Sequence, residues 1–156
     1  MFTFIRNDLK LMEIEKEIMN SNWEYNLIAY DKQVLGNEDI IDTYEETAAL
    51  QIERYLVKKG DDYIANLDYG MSSPRHQKPW ISLLAVHKKY QGLGFAKKIY
   101  TMYEELMKTK QVDCIHIAVH STNKNALNFW TALGYMQFDE RNYEGKVIKS
   151  FEKILI

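Results

Sequence analysis

The sequence predicts an α/β (mixed α+β) fold, a mixed central β-sheet flanked by helices in the order β-α-α-β-β-β-α-β-α-β-β. Three observations carry this reading. Apolar residues recur at every second position in some segments and at every third or fourth in others. A turn-rich join, KKGDD at 58–62, separates two strand-like runs. Strand, helix and strand alternate over 80–120, the pattern of a parallel βαβ unit. A chain of 156 residues suits one domain with a sizeable core, and residues 1–156 are read as a single domain. No linker, low-complexity tract or internal repeat interrupts it.

The elements follow in order. FTFIR (2–6) reads as a short first strand. Asp8 is placed to cap a helix running to about Asn20, with Leu11, Ile14 and Ile18 on one face. Residues 22–36, rich in Tyr, Trp and Asn, show no readable period. Asn37 is the expected cap of a second helix with Ile40, Tyr44 and Ala48 in register. A hairpin over 53–70 and a loop at 72–79 come next, then WISLLAVH (80–87), short and apolar, as a buried strand. From Phe95 the spacing turns helical, through Ile99, Met102, Tyr103 and Leu106. Residues 111–120 return to alternation, with Ile115, Ile117 and Val119 on one face. A helix capped at 121–123 and ended by Gly134 precedes two last strands, around 135–141 and 146–155.

Apolar residues make up 46% and charged residues 27%, with a formal net charge of −2, so nothing marks a nucleic-acid binder. Residues 1–70 hold 7 basic and 15 acidic side chains, and residues 71–156 hold 13 and 7. Such a division suits separate cationic and anionic partners, or two solvated faces of opposite sign. Cys114 is the only cysteine, so no internal disulfide forms and a reducing compartment is expected. Its CIHIAV surroundings read as a buried strand and an inert core thiol, the alternative being a reactive one. The cysteine and four histidines show no metal-ligand spacing, and no metal is expected. Without a signal peptide or a spanning apolar run, a cytoplasmic protein that avoids membranes is expected.

The stretch YQGLGFAKKIY (90–100) raises the chemistry. A strand, a short glycine-bearing loop and a helix start form the physical recipe for binding an anion. Unpaired N–H groups and a partial positive charge meet there, and glycines let a phosphate approach the backbone. Lys88, Lys89, Lys97 and Lys98 flank the loop. No GK[ST] follows, so it is not a Walker loop, and the third glycine of a dinucleotide fingerprint is missing.

The wider stretch LLAVHKKYQGLGFAKKIY resembles the acyl-CoA-binding signature of the GNAT superfamily of N-acyltransferases. The Q/R-x-x-G-x-G/A pattern stands as Gln91-x-x-Gly94-x-Ala96, after a strand ending in Leu84-Ala85-Val86. A second family signature has its counterpart at Asn123-x-x-Ala126-x-x-Phe129-Trp130-x-x-x-Gly134-Tyr135. The likeness is specific over roughly 80–135, and residues 1–50 carry no specific match. It implies acetyl-CoA as cosubstrate. The backbone of Leu84, Ala85 and Val86 would pair with the pantetheine arm, since the neighbouring strand splays away. The N–H groups of Gly92, Leu93, Gly94, Phe95, Ala96 and Lys97 would hold the pyrophosphate. Gln91 would shape the loop, Asn123 would hydrogen-bond the cofactor, and the Val86 N–H would polarise the thioester carbonyl. An amine would then attack the thioester directly.

Here the sequence departs from the family pattern. The acid is commonly a tyrosine in the second signature, where this chain has Trp130, a donor but no useful acid. Positions that carry a base glutamate in some members hold Trp80 or lie near Ala118. His120 is the best substitute base by position, at the end of the fifth strand, the alternative being a structural or exposed histidine. His87 reads as a structural turn residue. Asp68 and Tyr69 are candidates to line the amine site, and Tyr135, Tyr143 and Ser121 are candidate proton donors. Asp31, Glu38, Asp39, Asp42, Glu45 and Glu46 favour a cationic acceptor such as a polyamine, an aminoglycoside or a peptide amine, or else form a solvated helix face. The alternative to an N-acetyltransferase is a non-catalytic acyl-CoA-binding sensor or interaction module. A monomer and a homodimer are both compatible with the sequence.

Overall fold

The computed structural model describes residues 1–156. Strand β1 (Phe2–Arg6) pairs antiparallel with β2 (Glu53–Lys59), which forms the expected hairpin with β3 (Asp62–Gly70). Strand β4 (Trp80–Val86) continues the antiparallel run beside β3. Strands β5 (Cys114–His120), β6 (Met136–Tyr143) and β7 (Lys146–Ile154) complete a seven-stranded sheet of order β1-β2-β3-β4-β5-β7-β6. The expected mixed sheet is therefore present, with β4 and β5 as its one parallel pair.

Five helices form where the sequence predicted four. Asp8 accepts from the Lys10 N–H and caps a short 3-10 turn that leads into α1 (Met12–Ser21). The additional helix is α2 (Trp23–Tyr30), inside the stretch that showed no period. Its residues are apolar or aromatic on nearly every side, so no stripe announces it. Tertiary bonds hold it instead. The fully buried Asn26 donates from Nδ2 to the Met19 and Gln33 carbonyls, at 3.0 Å each. Helix α3 (Asn37–Ala49) begins one residue after its true cap, Gly36, whose N–H donates to Asp39 Oδ2 at 2.8 Å. Asn37 thus lies inside the helix, and the buried face runs through Ile40 and Thr47 while Ala48 is exposed. Helix α4 (Phe95–Thr109) buries Ile99, Tyr100, Tyr103 and Met107, leaving Met102 outside the core. Helix α5 (Lys124–Ala132) is capped by Asn123, whose Oδ1 accepts from the Ala126 N–H.

Two layers of packing result. The main core joins α4 and α5 to the sheet through Ile99, Tyr103, Ile115, Ile117, Val119 and Trp130. On the other side Met19, Leu35 and Ile40 from the α1–α3 region close against Leu83 and Ala85. Alternation along β4 therefore sends Leu84 and Val86 to one layer and Leu83 and Ala85 to the other.

Candidate active site

Strands β4 and β5 meet only at Trp80 and His116, with the His116 N–H on the Pro79 carbonyl at 2.8 Å. Beyond that vertex they diverge, because β5 stays paired with β7 along its whole length while β4 stays with β3. The divergence opens a cleft of about 630 Å³, whose walls include Leu84, Ala118, His120, Asn123 and Trp130.

The register of β4 decides which backbone groups face that cleft. The His87 N–H donates across to the Ile64 carbonyl at 2.7 Å, and Val86 stands opposite Ala65. Antiparallel alternation then turns the N–H and C=O of Val86 and Leu84 away from β3, toward the open edge, and those of Ala85 toward β3. The Val86 carbonyl bears this out by accepting from Gln91 Nε2 at 2.8 Å and Asn22 Nδ2 at 3.1 Å. Gln91 also donates to Asn22 Oδ1 at 2.7 Å, so it ties the glycine loop to the end of β4 and to the α1–α2 junction.

A second cavity, of about 380 Å³, lies over the start of α4 and is lined by Val86, Gln91, Gly92, Gly94, Phe95 and Lys97, among others. None of the backbone N–H groups from Gly92 through Lys97 meets an acceptor within the chain. Gly92 and Gly94 have φ of +80° and +79°, and a Cβ at either would meet no atom within 4 Å. The glycines therefore serve backbone shape and an open approach rather than tight packing. Leu93 points outward and is 58% exposed. Consecutive free N–H donors at the start of a helix, with Lys97 and Lys98 beside them, are an arrangement whose chemistry suits an anion. Val86 lines this cavity and Leu84 the larger one, so the open edge of β4 connects them.

His120 is half-buried, its Nδ1 has no partner, and burial together with the Lys146 ammonium holds its pKa below the usual value. It is therefore neutral near pH 7 and able to accept a proton. Asn123 spends its Oδ1 on the cap of α5, and its Nδ2 has no acceptor within the chain. Trp130 is both wall and core, packed edge-on against Tyr100, Phe129 and Tyr135. Tyr135 is withdrawn from the cleft, its hydroxyl 3.0 Å from that of Tyr100. Tyr143 lines the cleft, and Ser121 is not among its lining residues. His87 is the turn residue expected, its Nδ1 accepting from the Lys89 N–H.

At the far end of the cleft Asp68 is a lining residue, as expected, while Tyr69 is not, and Asp68 stands in a buried cluster that no sequence pattern marks. Arg54 donates to Asp68 Oδ2 at 3.1 Å and to Glu15, and all three side chains are buried. Asp68 Oδ1 has no partner, although Asp68 lines the cleft. Burial pushes the Asp68 carboxyl up to about 7 against the pull of Arg54, with Glu15 adding to the rise. Tyr25 and Tyr30 stand at the same end, and burial drives both phenols upward, Tyr30 to about 12. Of the acidic residues singled out in 31–46, Glu46 alone lines the cleft. Asp39 caps α3 and pairs with Lys32, while Asp31 pairs with Lys146 at 3.1 Å. Lys146 also donates to the Ile28 carbonyl at 2.7 Å, joining β7 to α2 beside the cleft. No local signal marks these groups, because their partners lie far apart in the chain.

A splayed sheet whose open edge runs into a helix start with free N–H groups is an architecture with room for a long phosphate-bearing ligand between two strands. Known structures share the architecture. An acetyltransferase from Thermus thermophilus superposes with a TM-score of 0.84 at 17% identity, over 99% of this chain and 97% of that one. The spermidine N-acetyltransferase of Vibrio cholerae, solved with CoA and spermine, gives 0.74 at 12% identity, over 98% and 95%. The ribosomal-protein-S18-alanine N-acetyltransferase of Escherichia coli gives 0.70 at 12% identity, over 99% and 94%. No curated protein sequence matches the chain. The model of the acetyltransferase (GNAT) family matches residues 15–135. The chain belongs to that family; it is an acyltransferase, and acetyl-CoA is its cosubstrate.

Proposed function

We propose that the protein moves the acetyl group of acetyl-CoA to a primary amine by direct attack on the thioester. The observation that carries this reading is the open edge of β4 leading into the free N–H groups of Gly92–Lys97. Those groups, with Gln91 bracing the loop, hold the pyrophosphate. The outward backbone of Leu84 pairs with the pantetheine amides, Ala85 supports that edge from the β3 side, and Asn123 Nδ2 donates to the same arm. The Val86 N–H polarises the thioester carbonyl. Amine nitrogen attacks the carbonyl carbon, the C–N bond forms, the C–S bond breaks, and CoA leaves as thiolate. His120, neutral at pH 7, accepts the proton that the attacking amine must lose.

The acceptor enters from the end that holds Asp68, Glu46, Tyr25 and Tyr30, a lining suited to a cationic amine. Relatives of this fold are named for a polyamine and for a peptide amine, which fits that lining. No helix is long and apolar enough to cross a membrane, which fits a cytoplasmic enzyme acting on soluble amines. Thiol release from acetyl-CoA against a panel of polyamines, aminoglycosides and peptide N-termini tests the reading. Amine-dependent release is the expected result. Tight CoA binding without turnover on any amine would leave a CoA-binding module, and calorimetry showing no CoA binding would remove both.

A further inference from the structure

At the opposite end of the sheet, Cys114, His116 and Glu152 converge. Cys114 and His116 are two apart on β5, so their side chains share a face. The β5–β7 register sets Glu152 directly opposite His116. Cys114 Sγ lies 3.6 Å from Glu152 Oε2, and His116 Nε2 lies 3.2 Å from the same oxygen. The three donor atoms all fall within 4.8 Å of one another. Tetrahedral zinc with ordinary Zn–S, Zn–N and Zn–O bonds separates its ligand atoms by about 3.3–3.6 Å. Two of the three edges thus stand close to that spacing.

We infer that Cys114, His116 and Glu152 form a site for a thiophilic divalent metal, zinc above all. Thiolate, imidazole and carboxylate together select zinc over magnesium or calcium. Cys114 and His116 are at least nine-tenths buried, and His116 turns its Nε2 toward the Glu152 oxygen that also faces the Cys114 thiol. Glu152 is 38% exposed on its side chain, so solvent can supply the fourth ligand. The His76 ring packs edge-on against both His116 and Phe138 and covers the site from the β3–β4 loop. On binding, the thiol gives its proton to solvent as the metal–sulfur bond forms. The imidazole proton resides on Nδ1, and the Glu152 carboxylate exchanges its bonds to the thiol and imidazole for the metal. Two anionic ligands balance the dication, and Lys78, the neighbouring cation, limits the affinity.

The position gives the metal a purpose. His116 is the residue at which β4 and β5 meet before they splay. A metal joining β5 to β7 there would stiffen the vertex from which the acetyl-CoA cleft opens. The site itself stands whether or not the chain is catalytic.

The test is a cobalt titration of the untagged, reduced, chelator-treated full chain. One equivalent of Co²⁺ should produce a thiolate-to-cobalt charge-transfer band with tetrahedral d–d absorption, and one equivalent of Zn²⁺ should bleach both. Cys114→Ser should abolish the charge-transfer band, and Glu152→Gln should weaken cobalt binding at least tenfold while CoA affinity is unchanged. Zinc should raise the Tm of the wild type and of neither variant. A wild-type chain that takes up Co²⁺ without the thiolate band would overturn the inference. So would equal affinity in wild type and in both folded variants.

Discussion

Two side chains in the cleft carry the sharpest expectations. Burial and Lys146 hold the His120 pKa below its usual value, which suits the proton-accepting role proposed for it. His120→Gln should lower kcat by about 100-fold, the lower range for losing a general base, with CoA affinity unchanged. A loss under about threefold in steady-state kinetics would leave His120 as a wall residue. Asp68 makes a separate statement about stability. Its folded carboxyl sits near 7 against an ordinary value of 3.8, so the native state holds a proton that the unfolded chain releases. Its contribution is complete below about pH 4 and is lost as pH rises through about 7. The loss is on the order of a few kcal/mol. Asp68→Asn should flatten that dependence, so the variant should gain on the wild type between pH 4 and 7 in urea melts. A constant difference across that window would mean that Asp68 is ionised throughout.

Among the elements, the loop entering α4 is the most legible and the most exacting. Gln91 through Lys97 are contiguous, so their spacing is printed in the chain and their backbone geometry follows locally. Gly94→Glu should abolish CoA binding by calorimetry, since it adds bulk and negative charge where the free N–H groups converge. Gly94→Ala isolates the backbone term, because its φ of +79° costs an L-residue about 1–2 kcal/mol. The alanine variant should therefore bind CoA more weakly yet measurably. Equal binding by both would remove the pyrophosphate assignment. Helix α2 is the opposite case. Its apolar residues face several ways, and the buried Asn26 that anchors it bonds to Met19 and Gln33, outside the helix. A periodicity argument has no purchase on such a segment. The cap of α3 was misplaced by one residue for a related reason, because Gly36 offers a backbone N–H to Asp39 and no side chain to recognise.

For the whole molecule, one indole connects stability to the cleft. Trp130 is 8% exposed, closes the main core against Tyr100 and Tyr135, and also walls the cleft. Trp130→Ala should cost about 3–5 kcal/mol and lower Tm by roughly 10 °C. Acetyl-CoA should restore part of that loss by mass action if the variant still binds it. A melting temperature within about 2 °C of wild type would contradict its place in the core. Alternation, helical periodicity, turn chemistry and two contiguous signatures are short-range properties, and they specified the strands, most helices, the glycine loop before α4 and the family resemblance. Three features came only from the tertiary structure: the vertex where β4 leaves β5, the Glu15–Arg54–Asp68 cluster, and the Lys146 link to α2. Each depends on register and burial between residues apart in the chain, from 14 positions for Arg54–Asp68 to 118 for Lys146–Ile28. A single chain read in order carries no signal for such pairs, because only packing in three dimensions sets which buried charges face one another.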